Sequence, residues 1–173
     1  PIGFTEERVG LARPAWERYP EDVPLVTYRW RDTYRALTAL SESEGSPVDG
    51  VILEYVNPFR QGPVLPTMAC LIQLLRPGEH TKAHRHTSST VYFVVKGSGQ
   101  SIMDGERFDW GTGDFFLTPP WAWHEHANPT KEESILFVMS DKPVLDAFGY
   151  YREEAYAENG HRQPVTKIFT PER

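Results

Sequence analysis

From residue 51 to residue 140 the chain is a succession of short apolar runs, each cut off by turn-forming residues. The runs are "VILEYV" (51–56), "MACLIQLL" (68–75), "HTKAHRH" (80–86), "STVYFVVK" (89–96), "GQSIMD" (99–104), "ERFDW" (106–110), "DFFLTP" (114–119) and "SILFVMS" (134–140). Each has strand length, and several are rich in β-branched and aromatic residues. Between them lie "RPGE", "KGSG", "DG" and "GTGD", of which Asp104-Gly105 is the strongest hairpin signal. Many short strands joined by tight turns predict a β-sandwich or small barrel.

Only two other stretches carry a pattern. "YRWRDTYRALTAL" (28–40) spaces Trp30, Tyr34, Leu37 and Leu40 as one face of a helix, which "SESEGSPVDG" ends. "PVLDAFGYYREEAY" (143–156) predicts one or two helical turns packed outside the strands. The first thirty residues, with "ARPAW" and "RYPEDVP", have little periodicity and read as an arm that lies on a neighbouring copy, so a dimer or tetramer is expected. The expected organisation is an arm and helix over 1–50, the strand domain over 51–142, and a helical segment and tail over 143–173.

Composition narrows the partners. Eighteen basic residues against 24 acidic ones give a net charge of −6, and no basic run offers itself to nucleic acid or to an anionic membrane. Small molecules are the expected partners. Runs such as "ILFVM" (135–139) are far too short to cross a bilayer, and no signal-peptide pattern opens the chain. Cys70 is the only cysteine, which excludes an intrachain disulfide and a zinc–thiolate cluster and fits a reducing cytoplasm. A start at Pro1 without Met fits a processed or excerpted chain.

The chemistry sits in the histidines. His84 and His86 are two apart in a strand-like run, so their imidazoles point the same way and converge on one object. His124 and His126 repeat the spacing after a Gly-Asp turn, a short apolar strand and a Pro-Pro bend, which lets the second pair return beside the first. A lone strand histidine is ordinarily structural, but two such pairs in two turn-bounded strands point to a metal site. His80 and His161 fall outside this arrangement. Arg85 must face the opposite side of its strand, in a solvated or salt-bridged role, and the clustered Trp110, Trp121 and Trp123 read first as core.

These stretches resemble the two motifs of the cupin superfamily: Gly78, His84, His86 and Gly97 in the first, Gly113, Pro119, His124 and Asn128 in the second. The resemblance implies an all-β jelly-roll barrel with the histidines pointing inward. The first motif of that superfamily usually adds a glutamate, whose position is Thr90 here. "LIQLLRPGEHTKAHRHTSSTVYFVVKGSG" and "TPPWAWHEHAN", with "DGVILEYVNPFRQGPVLPT" upstream, are similar to a narrower group, gentisate 1,2-dioxygenase and its salicylate- and hydroxynaphthoate-cleaving relatives. The similarity spans about Tyr28 to Tyr156.

What this narrower resemblance implies is an Fe(II) ion held by His84, His86 and His124, with a small aromatic hydroxy acid and dioxygen as the reactants. It makes His126 the catalytic side chain that hydrogen-bonds substrate or bound oxygen, and Gln73 a lining residue of the same pocket. Trp123, with Trp121, becomes a wall of the ring site; Tyr92 takes the place of a substrate-binding arginine. Members of the group are two-cupin chains about twice this length, and the segment resembles their C-terminal half. Three neutral ligands leave a ferrous ion its full charge and open positions for a chelating acid and dioxygen. The competing class is a metal-binding module without turnover, which Tyr92 favours and the intact histidine set disfavours; a cupin isomerase or a dioxygenase of a non-aromatic acid is a third.

Overall fold

The computed structural model describes residues 26–59 and 61–170. The expected arm lies, up to residue 25, outside the described residues. The helix α1 spans Trp30–Leu40 and is followed by strands β1 (Val51–Glu54), β2 (Val56–Asn57), β3 (Gly62–Pro63), β4 (Ala69–Leu75), β5 (His84–His86), β6 (Thr90–Lys96) and β7 (Ser98–Met103). The chain continues through β8 (Glu106–Gly111), β9 (Phe115–Thr118), β10 (His124–Ala127), β11 (Ser134–Ser140), helix α2 (Lys142–Ala147), β12 (Glu153–Ala155) and β13 (Lys167–Ile168). Two sheets face each other, ordered β1-β4-β11-β6-β9 and β12-β5-β10-β7-β8-β13, with β2 and β3 forming a separate ribbon. This is the β-sandwich that the short runs predict, in the jelly-roll form that the family resemblance implies. Among the described residues no helix is long and apolar enough to cross a membrane.

Strand alternation sorts the core into two. Leu75, Tyr92, Val94, Trp110, Leu136 and Val138 point between the sheets, while Leu37, Val51, Ile72, Leu74 and Ile135 pack under α1 on the outer face. The expected helical face is thus correct at Leu37, with Tyr34 and Leu40 packed beside it. Trp30 departs from it: the ring is exposed and rests against Tyr34 at 5.5 Å.

The Asp104-Gly105 hairpin forms as predicted. Met103 pairs with Glu106 across a two-residue loop, and both loop residues have positive φ, 47° and 81°, the conformation that favours Asp-Gly. Two expectations need correction. The run 80–86 is a strand only from His84, because the amides of Thr81, Lys82 and Ala83 bond to His126, Pro47 and His161 carbonyls instead of a continuous ladder. The one or two helical turns expected in 143–156 form over Lys142–Ala147, but the rest of that stretch is not the helical tail expected: Gly149 turns the chain at positive φ, and β12 adds to the open edge of β5. The C-terminal segment therefore walls the sheet that carries the histidines.

Candidate metal centre

His84 and His124 are direct partners in the antiparallel pair β5–β10. Alternation puts His86 on the same inward face as His84, and the three ring centroids are 4.2, 4.8 and 5.5 Å apart. One ligating atom from each of His84, His86 and His124 lies within 4.8 Å of the others, and all three residues are buried.

Two of the three direct their protons away from the centre, while His84 Nδ1 is buried without a hydrogen-bond partner among the described residues. His86 Nδ1 is 3.0 Å from the Ser88 carbonyl and His124 Nδ1 is 3.0 Å from the Ala122 carbonyl. A carbonyl only accepts, so each Nδ1 carries the hydrogen and each Nε2 keeps a free lone pair. His124 Nε2 is buried with no hydrogen-bond partner among the described residues. Burial first, and the neighbouring His84 next, hold His124 well below its ordinary pKa and lower that of His86 in the same way. Neutral imidazoles with unpartnered nitrogens converging on one point are the donor set of a divalent transition metal, and the residues fit such an ion.

His126 also faces inward on β10 but contributes no ligating atom to the group. Its ring lies 4.8 Å from that of Tyr92 and 5.9 Å from that of His124. Burial, followed by the His84 and His86 charges, lowers its pKa to about 3. Tyr92 is stacked on Phe116 at 4.9 Å, and burial raises its hydroxyl pKa, so it remains a neutral phenol. Gln73 Nε2 donates to the Asp49 carbonyl at 2.6 Å, which leaves its Oε1 buried and without a partner among the described residues.

Next to the histidines opens a cavity of about 510 Å³, lined by Gln73, Thr90 and Tyr92 among others. Trp123 does not line it, and neither does Trp121. Trp123 precedes His124 in the chain and turns outward: the Arg85 guanidinium sits between Trp121 at 4.4 Å and Trp123 at 4.3 Å, and pairs with Glu154 at 2.7 Å. The expected ring wall is thus an external clamp, and Arg85 is salt-bridged on the face away from the site. Of the three tryptophans expected in the core, only Trp110 belongs to it.

Other cavity residues come from far along the chain. Glu153 pairs directly with His86 across β12–β5 and accepts from Tyr151 Oη at 2.9 Å. Tyr151 lies over the His86 ring at 6.3 Å, and Lys142, with Asp146 at 2.7 Å, completes the rim. No spacing in the sequence links these residues to a strand more than fifty positions earlier. His80 and His161, set apart by their spacing, fasten the outer layer: His80 meets buried Glu125 at 3.3 Å, and His161 Nδ1 donates to the Tyr156 carbonyl.

The fold and the inward histidines together make a cupin-like β-sandwich with a candidate metal site. Residues 71–140 match the cupin domain family, so the chain carries a cupin domain. It is 47% identical over 98% of its length to 5-aminosalicylate 1,2-dioxygenase from Comamonas sp, and 37% identical over 84% to 1-hydroxy-2-naphthoate 1,2-dioxygenase from Nocardioides sp. (strain KP7). It covers 46% and 38% of those proteins, so the chain spans less than half the length of the curated relatives it matches. Among solved structures it is similar to salicylate 1,2-dioxygenase from Pseudoaminobacter salicylatoxidans in its adducts with gentisate, with 34% identity, a TM-score of 0.67, and coverage of 73% of this chain and 36% of that one.

Proposed function

We propose that the protein, holding Fe(II) through His84, His86 and His124, cleaves the ring of gentisate or a related 2-hydroxybenzoate or hydroxynaphthoate. The observation that carries this reading is the convergence of three buried imidazoles with no carboxylate among the ligating atoms. Such a set leaves the ion's positive charge for the substrate, and the similar proteins are named as dioxygenases of aromatic acids. Iron, when bound, supplies the electronic path between an electron-rich ring and dioxygen.

The remaining work falls to side chains. His126 is the catalytic residue: neutral and buried, it hydrogen-bonds an oxygen of the reactants. Gln73 Oε1 accepts from a hydroxyl or amine of the substrate, and Tyr92 borders the ring. In this reading Trp123, which stacks on Arg85 and does not line the cavity, lies outside the substrate site. Lys142 is the only cation lining the cavity among the described residues, against Asp49, Glu54, Asp146 and Glu153. Entry of an anionic acid therefore depends on the charge of the ion.

That acidic lining, with Tyr92 in place of arginine, favours a second reading: a metal-binding cupin module without turnover. Metal analysis followed by oxygen uptake with gentisate, salicylate, 5-aminosalicylate and 1-hydroxy-2-naphthoate separates the two. Ring cleavage requires oxygen consumption at stoichiometric iron; iron without uptake on any of these acids leaves the module. We place the protein in the cytoplasm as a homo-oligomer, in keeping with unpaired Cys70 and the absence of a basic surface run.

A further inference from the structure

His126 is held by two residues that no spacing rule connects to it. Ser101, its direct partner across β10–β7, places Oγ 2.8 Å from His126 Nδ1. Trp110 Nε1, on β8, donates to the same Oγ at 2.9 Å. The three residues are between 0% and 4% exposed, so water cannot replace these contacts. Gly99 is part of the arrangement: it pairs with Trp110 across β7–β8, and a Cβ there would overlap the indole that reaches Ser101.

Proton counting decides the direction of the chain. An indole N–H only donates, so Ser101 Oγ accepts from Trp110 and has one hydrogen of its own to place. His126 Nδ1 is the one acceptor in reach of that hydrogen among the described residues. Were Nδ1 protonated instead, Oγ would receive two N–H groups and its hydrogen would be buried unpaired, the costlier arrangement. The imidazole hydrogen is therefore on Nε2, which is buried, without a partner among the described residues, and on the other side of the ring from Ser101.

We propose that Ser101 and Trp110 are positioning residues that hold His126 in the Nε2–H form, as a hydrogen-bond donor into the interior between the sheets and not as a base. The placement of the proton is independent of any reaction; its use, donation to an oxygen of the bound acid or of dioxygen, rests on the ring-cleavage reading.

The test is nitrogen NMR on the full chain labelled with ¹⁵N-histidine, read through the two-bond couplings that distinguish the two neutral tautomers. The His126 signals are assigned by their loss in His126→Gln. Wild type is expected in the Nε2–H pattern alone, and Ser101→Ala in a mixture or in the Nδ1–H pattern. A wild-type Nδ1–H pattern overturns the proposal, as does a Ser101→Ala spectrum unchanged from wild type. Should Ser101→Ala fail to fold, the wild-type pattern alone decides. On iron-loaded protein the same variant is expected to lower kcat about tenfold, at unchanged iron content and KM. A wild type that takes up no oxygen overturns ring cleavage and leaves the tautomer to the spectrum.

Discussion

His84 and His124 are 40 residues apart in the chain and directly opposite each other in the sheet, with ring centroids 4.2 Å apart. His126, two residues on, looks into the same interior but is held by Ser101 instead of joining the metal group. Removing one or the other should fail differently. His124→Ala is expected to lose iron and oxygen uptake together. His126→Ala should keep its iron while turnover falls about 10–100-fold. Metal analysis beside oxygen-electrode rates checks both, and equal iron loss in the two variants would contradict the assignment.

The outer clamp is a stability element. Arg85→Ala removes a cation between two indoles and its pair with half-exposed Glu154. The expected loss is about 1–2 kcal/mol. Urea denaturation of the metal-free protein measures it, and a loss below a few tenths would show the clamp to be idle.

Acid should weaken the fold and the site in one window. His86, His124 and His126 have native pKa values below their ordinary 6.5, His126 at about 3, chiefly through burial. Above pH 6.5 these groups are neutral folded and unfolded, and stability is fully present. As pH falls from 6.5 toward 3, the unfolded chain binds protons that the native state refuses, so stability declines. Melting temperature recorded from pH 8 to pH 4 should fall progressively below pH 6.5, and metal should dissociate over the same range. A flat profile down to pH 4 would contradict it.

The rim cation and the buried phenol give opposite results. Lys142→Met removes the only positive side chain lining the cavity among the described residues, and should weaken binding of gentisate to metal-loaded protein about fivefold. Tyr92→Arg replaces a ring stacked on Phe116 with a buried, unpaired cation. It is expected to melt earlier alone, yet to gain more from added gentisate than wild type does, since the carboxylate supplies the missing partner. Calorimetric titration and thermal shift read both effects; a Tyr92→Arg protein no more responsive than wild type would place the carboxylate elsewhere.

Association is expected from the outer sheet as well as from the N-terminal arm. Val91, Phe93, Phe115, Leu117 and Met139 are exposed, and strand pairing sets Val91 beside Leu117 and Met139, and Phe93 beside Phe115. An apolar face of this kind marks a contact surface. Light scattering should give a dimer or tetramer, and a clean 19.8 kDa monomer at micromolar concentration would refute it.

The sequence by itself determined what depends on local period and on spacing of two. Alternation in 68–75, 89–96 and 134–140 laid down the central strands, Asp104-Gly105 their hairpin, and the two HxH pairs the inward histidines, because side chains two apart on a strand must share a face. The same rule already placed Arg85 outside. Tertiary structure alone decided which groups meet across the sheet. The family resemblance implies Trp123 as a ring wall, but the alternation that turns His124 inward turns Trp123 outward, onto Arg85. The segment 143–156 has a helical pattern, yet the open edge of β5 recruits its second half as β12, bringing Glu153 beside His86. Ser101 and Trp110 look like ordinary strand residues, and only the register of β10 on β7 and of β7 on β8 brings them to His126. Such contacts are fixed by pairing register and by the burial of unpaired edges, which act between segments that no local pattern connects.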